Sequence, residues 1–251
     1  MTATEPRPHR DGDSWAHPVD RLSTTAKSAG MDTVTGKRVA GPIQGFGQMW
    51  QKTFSVRLEG VDKSPEQLIA YWKERFPTFW PKGATFYAPL SGIAPGEVAL
   101  LEVPAMPGAP IKMSTGVLVI YADRESFTFM TPEGHMLSAW ITFSAFKDGD
   151  TTVAQVQALE RTSDPFIELG YILGANRMND RFWEQTLGNL ARSVDVAAPI
   201  VSTEKVCVDR QRQWRYVRNL RHSAALNMAV GTITAPIRWL RRRGTSAGRD
   251  A

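Results

Sequence analysis

Residues 113–162 read MSTGVLVIYADRESFTFMTPEGHMLSAWITFSAFKDGDTTVAQVQALERT, and residues 163–196 continue as SDPFIELGYILGANRMNDRFWEQTLGNLARSVDV. The first part divides into four apolar-alternating segments, Gly116–Tyr121, Ser126–Met130, Met136–Phe146 and Thr152–Leu159. Short polar turns separate them: Asp123-Arg124-Glu125, Thr131-Pro132-Glu133-Gly134 and Lys147-Asp148-Gly149-Asp150. Alternation with period two places Ala139, Ile141, Phe143 and Ala145 on one sheet face and Trp140, Thr142, Ser144 and Phe146 on the other. The second part changes period. Asp164 followed by Pro165 is a helix start, and Glu168 adds a negative charge in the first turn. An antiparallel meander closed by a long helix is therefore predicted, an α+β layout.

That helix is uneven. Phe166 to Ala175 is apolar nearly all round, whereas the following turns put Met178, Phe182, Trp183, Leu187 and Leu190 inward and Arg177, Asp180, Arg181 and Glu184 outward. A half that is apolar on every side needs cover on more than one side, and a curved sheet with overlying loops supplies it.

Working outward, Met49–Leu58 alternates as a strand, with Phe54, Val56 and Leu58 on one side and Thr53, Ser55 and Arg57 on the other. Ser64, Pro65 and Gln67 then form a capping box that opens a helix with Leu68, Ile69, Trp72 and Phe76 inward. Thr85–Pro89 and Glu97–Val103 are further strand candidates. Residues 1–40 are polar without apolar periodicity and read as a disordered leader. The folded domain is expected over 41–196, and 197–251 as a basic, partly helical extension.

The overall charge of +5 conceals a division. From Lys205 onward there are eleven Lys/Arg and two acidic residues (+9), which leaves 19 against 23 (−4) before it. A mildly acidic body argues against a nucleic-acid platform, and the tail offers few aromatics on which bases could stack. Its Arg238, Trp239, Arg241, Arg242 and Arg243 instead suit contact with anionic headgroups. One cysteine, Cys207, excludes an internal disulfide, and the first thirty residues lack an apolar signal core. A cytoplasmic protein, peripheral at the inner membrane face if the tail engages it, is the expectation.

The order strand, helix, meander, long helix resembles the START-like, helix-grip superfamily, which includes polyketide-cyclase-like and birch-pollen-allergen-type proteins. The run Thr131-Pro132-Glu133-Gly134-His135, with Leu169-Gly170-Tyr171 and Arg181-Phe182 further on, is similar to an uncharacterised bacterial branch of it. The resemblance implies a curved antiparallel sheet around a long C-terminal helix and a cavity between them. Most such proteins bind apolar or amphipathic small molecules there, and some run cyclase, dehydratase or hydrolase chemistry.

Within that frame, Phe127, Phe129, Ile141 and Phe143 share one sheet face opposite a helix half that presents Tyr171 and Met178. These six residues are the candidate pocket for a hydrophobic, lipid-like molecule. His135 is the only imidazole between the leader and the tail. The residue type suits general acid–base work beside Glu133, but with no nucleophile tied to it by sequence a turn histidine bonded to nearby backbone is the expectation. Glu102 and Glu160 could bring a carboxylate to a cavity. Gln155 and Gln157 either face a ligand or face water. No Cys/His spacing suits zinc, and no glycine-rich loop matches a phosphate cradle, so neither metal nor cofactor is expected.

Overall fold

A computed structural model of the chain describes residues 39–104, 112–223 and 225–226. Residues 1–38 of the leader and 227–251 of the tail, with the five residues expected at a membrane, lie outside the described residues; the last two residues expected in the leader, Val39 and Ala40, pair with Pro132 and Thr131.

Strand β1 (Met49–Leu58) leads into helix α1 (Pro65–Arg75) and a 3-10 turn (Phe76–Phe79). Strands β2 (Thr85–Tyr87), β3 (Val98–Pro104), β4 (Lys112–Ala122), β5 (Ser126–Met130), β6 (Leu137–Asp148) and β7 (Thr151–Thr162) follow as an antiparallel meander. β7 returns beside β1, so the curved sheet has the order β2-β3-β4-β5-β6-β7-β1-β8, with every neighbouring pair antiparallel.

The expected starts form as predicted. Ser64 accepts a hydrogen bond from the Gln67 amide at 3.2 Å, and the Gln67 side chain returns one from the Ser64 amide at 2.9 Å. Asp164 accepts from the amides of Phe166 and Ile167 at 2.8 and 3.0 Å, which satisfies two donors of the first turn.

The long helix differs from expectation. It runs as α2 (Pro165–Gly170), one π-helical turn (Tyr171–Ala175) and α3 (Asn176–Ser193). Gly174 breaks it with φ +121°, a conformation that side-chain-bearing residues rarely adopt. The apolar first half does not find the expected cover. Leu169, Ile172 and Leu173 are exposed, Leu173 to 78%.

A second difference lies past Val196, where the sequence suggested the domain's end. Val201–Asp209 is an eighth strand, β8, added to the sheet edge against β1. Ser202 to Val206 are all exposed, so the period-two burial that reveals a half-buried strand is missing. Within the extension expected to be partly helical, Trp214–His222 forms a 3-10 helix.

Helices α1 and α3 cover the inner face of the sheet. Phe54, Trp72, Phe76, Phe127 and Phe143 are fully buried between them. Trp72 stands edge-on to Phe127 and Phe143 at 6.0 and 5.5 Å, Phe76 edge-on to Phe129 and Phe143 at 5.4 and 5.0 Å. Phe127 and Phe143, cross-strand partners on β5 and β6, stack at 4.6 Å. Such ring pairs contribute about 0.5–1.5 kcal/mol each beyond area burial.

Candidate functional site

The site begins with a residue out of place. Counting back by twos from Leu58 through Val56 and Phe54, the next inward position on β1 is Lys52. It is 1% exposed. Its Nζ lies 2.7 Å from Glu160 Oε1 on β7, 2.9 Å from Asp180 Oδ1 on α3 and 2.6 Å from Asn176 Oδ1. Burial alone would lower the pKa of this amine. The adjacent carboxylates of Glu160 and Asp180 outweigh it and hold the pKa above the ordinary lysine value.

Lys205 on β8 lies directly across the strand pair from Lys52. Two like charges in that register repel, and Asp180 relieves the repulsion by pairing with both. Asp180 was read from sequence as an outward residue of α3. It is buried because the helix turns this side toward the lysines. Asn179 completes the shell with hydrogen bonds of 3.2 and 3.3 Å to Glu160.

A second group adjoins the first. Arg161 is buried and donates to the carbonyls of Gly47 and Gln211 at 2.5 and 3.0 Å, and it pairs with Asp209. Glu168, in the first turn of α2, accepts from Thr162 Oγ1 and from Arg212 Nε, both at 2.8 Å. Gly47 lies so close that a Cβ there would collide with the Thr162 hydroxyl and the Glu168 carboxylate. Four cations (Lys52, Arg161, Lys205, Arg212) thus balance four carboxylates (Glu160, Glu168, Asp180, Asp209).

Between the groups is a cavity of about 110 Å³. Glu160, Arg161, Glu168, Tyr171, Asn176 and Arg212 give it polar walls, and Trp50 and Ile172 apolar ones. The volume suits a headgroup or a few waters and falls short of the roughly 300–1,000 Å³ that encloses a drug-sized ligand. The π turn, where Gly174 breaks the helix, forms its roof. Burial first, then the charges of Glu160, Asp180 and Glu168, pushes the Tyr171 phenol above its ordinary pKa, so it stays a neutral donor.

The other residues singled out from sequence are elsewhere. Phe127, Phe129, Ile141 and Phe143 share one buried face, but the space opposite them holds the rings of Trp72, Phe76 and Trp183. Tyr171 lines the cavity, and Met178 is half-buried on α3. His135 is buried in the turn before β6, its Nδ1 3.0 Å from both the amide and the carbonyl of Leu137. Burial lowers its pKa to about 4, against the weaker opposing effect of the Leu137 hydrogen bond. Its contacts are thus those of a backbone-bonded turn histidine, while Glu133 lies 3.8 Å from His222. Glu102 is on β3, four strands from β7, and pairs with Lys112 at 3.3 Å. Gln157 is exposed and Gln155 half-buried, on the face away from Ala154, Val156 and Ala158. Among the described residues no helix is long and apolar enough to cross a membrane.

The strand order, the crossover helix after β1 and the long C-terminal helix across the inner face make this a helix-grip fold, the architecture of START-like proteins. Solved structures similar to the chain include a START superfamily protein from Mycobacterium smegmatis, at 19% identity and TM-score 0.40 over 59% of this chain and 99% of that one. Protein Ms6760 from the same organism has 10% identity and TM-score 0.41 over 59% and 92%. Major latex-like protein 151 from Panax ginseng has 9% identity and TM-score 0.36 over 59% and 99%. No protein-family model matches the sequence, and no curated protein matches it.

Proposed function

We propose that the chain binds an amphipathic small molecule at the polar cavity beneath the broken helix. The observation that carries this reading is the cavity itself, a polar recess walled by buried charged groups under a helical turn that glycine has opened. Rings fill the centre of the interior, so only the polar end of a ligand enters here. Arg161, Arg212, Tyr171 and Asn176 supply donors to it, Glu160 and Glu168 acceptors. Its apolar part lies along Ile172 and the exposed turn beside it, where burial of apolar surface drives association. The aromatic set Phe127, Phe129, Ile141 and Phe143 keeps a supporting part, as the wall behind the sheet end on which the cavity is built.

The test uses anilinonaphthalene sulfonate, an anion with an apolar ring system. Titration of the purified chain is expected to show one saturable fluorescent site. Asn176→Leu and Ile172→Gln should each weaken it about tenfold, the loss of one buried hydrogen bond or one apolar contact. Binding unchanged in both variants would remove the cavity as the site.

A further inference from the structure

The cavity roof continues into a larger surface, which shares Ile172 with the cavity and extends well beyond it. On the α2 side, Leu169, Ile172 and Leu173 are exposed, Ile172 to 64%. Next to it runs the 3-10 helix Trp214–His222, and the segment from Arg212 to Asn219 is tied to α2 and to the chain just before α2 and β1 at three points. Arg212 pairs with Glu168 at 2.8 Å, Asn219 donates to the Ser163 carbonyl at 2.9 Å, and Trp214 packs edge-on against Phe46 at 5.2 Å. Trp214 is nevertheless 69% exposed. From Arg210 to His222 there are five arginines and no acidic residue. Arg210, Arg215, Arg218 and Arg221 are exposed, and none of these four is paired with a carboxylate among the described residues.

We propose that this surface docks on an anionic lipid bilayer, with Ile172, Leu173 and Trp214 entering the headgroup boundary and Arg215, Arg218 and Arg221 contacting lipid phosphates. Two features favour a bilayer over other anions. Exposed branched aliphatic side chains gain little from a nucleic-acid backbone, whereas the acyl boundary buries them. A tryptophan with an apolar body and an N–H donor is at its most stable at the water–lipid interface. Positive charge beside the apolar residues adds attraction to acidic lipid, which salt screens. Its residues precede Arg238–Arg243 in the sequence, and Trp214, Arg215, Arg218 and Arg221 take no part in lining the cavity.

The full chain is tested by co-sedimentation with vesicles of phosphatidylcholine alone and of phosphatidylcholine with phosphatidylserine. Binding is expected only with phosphatidylserine and should fall as salt rises. Arg215→Gln/Arg218→Gln/Arg221→Gln should weaken it by on the order of 100-fold, and Ile172→Asp/Leu173→Asp by on the order of 10-fold or more. Wild-type binding in both variants would overturn the proposal and assign vesicle binding to another part of the chain. So would lower thermal stability or a changed oligomeric state in the aspartate variant with vesicle binding intact. Either result would make the patch an internal or self-association contact. Displacement of the vesicles by single-stranded RNA, with only the arginine variant affected, would overturn it in favour of nucleic acid. Dye binding measured without vesicles reports separately on the cavity.

Discussion

The middle of the sheet and its β1–β7 end handle burial in opposite ways. In the middle, rings from α1, β5, β6 and α3 fill the space between the layers, and nothing charged is among them. Yet the indole N–H groups of Trp72, Trp80 and Trp183 have no hydrogen-bond partner there among the described residues. At the other end, ions are buried as deeply as Phe54 is, and each has its counter-ion. The apolar region therefore gains area and leaves donors unmet. The polar region pairs its charges, leaves only Arg161 Nε among its buried donors without a partner among the described residues, and carries the cost of desolvating charge. Among the described residues the centre is packed with rings, and a recess opens where packing accommodates charge. The cavity lies there, under the one turn where the long helix departs from regular geometry.

The sharpest way to break this comparison is at Trp72. Trp72→Ala should cost about 3–5 kcal/mol, the sum of lost ring contacts and the void left among Phe76, Phe127 and Phe143. Trp72→Phe should cost far less, because it removes the unmet N–H together with part of the ring. Urea unfolding of both variants checks this. Equal losses would mean that the indole donor is satisfied and that the two regions do not differ in this respect.

Lys52→Met probes the other side. The apolar isostere leaves Glu160 and Asp180 facing each other with one cation fewer, and the expected loss is about 3 kcal/mol. Adding Glu160→Gln and Asp180→Asn should recover most of it, since positions 52, 160 and 180 are then uncharged and of nearly unchanged size. If the triple variant is no better than Lys52→Met alone, the lysine stabilises through its packing rather than through its charge.

Much of this architecture is legible in the residues. The capping box at Ser64, the N-cap at Asp164 and the alternation of Ala139–Phe146 specify helix starts and sheet faces through local chemistry alone. The charged cluster was half-visible. Lys52 falls on the apolar side of β1, a break in the pattern, and Glu160 stood out as a carboxylate able to serve a cavity. Nothing local ties the two together, because they lie 108 positions apart, and Asp180 on its own reads as an outward residue. The opened turn was hidden for a related reason. Gly174 in an apolar helix reads as a tolerated weak position, and nothing in the local sequence marks its φ of +121°. β8 escaped notice because both its faces meet water.

The two ends also predict where acid acts. The aromatic middle holds no titrating group, so its contribution to stability is independent of pH. At the polar end, near where Leu137 pairs with Thr162, His135 is buried as the neutral imidazole with a pKa near 4. An unfolded histidine titrates near 6.5. Between those values the unfolded chain binds more protons than the folded one, so the folded state loses stability as the pH falls through this window. It recovers stability fully only above the unfolded value. The gap corresponds to about 3 kcal/mol at its acid limit. Unfolding free energies measured from pH 7 to pH 4 should fall by roughly this amount. His135→Gln should be less stable at pH 7, through the lost fit to Leu137, but should show a flatter profile. An unaltered slope in that variant would move the acid sensitivity from the histidine to the buried carboxylates around Lys52, and would make the ion cluster, rather than the turn beside it, the pH-dependent element of this end of the sheet.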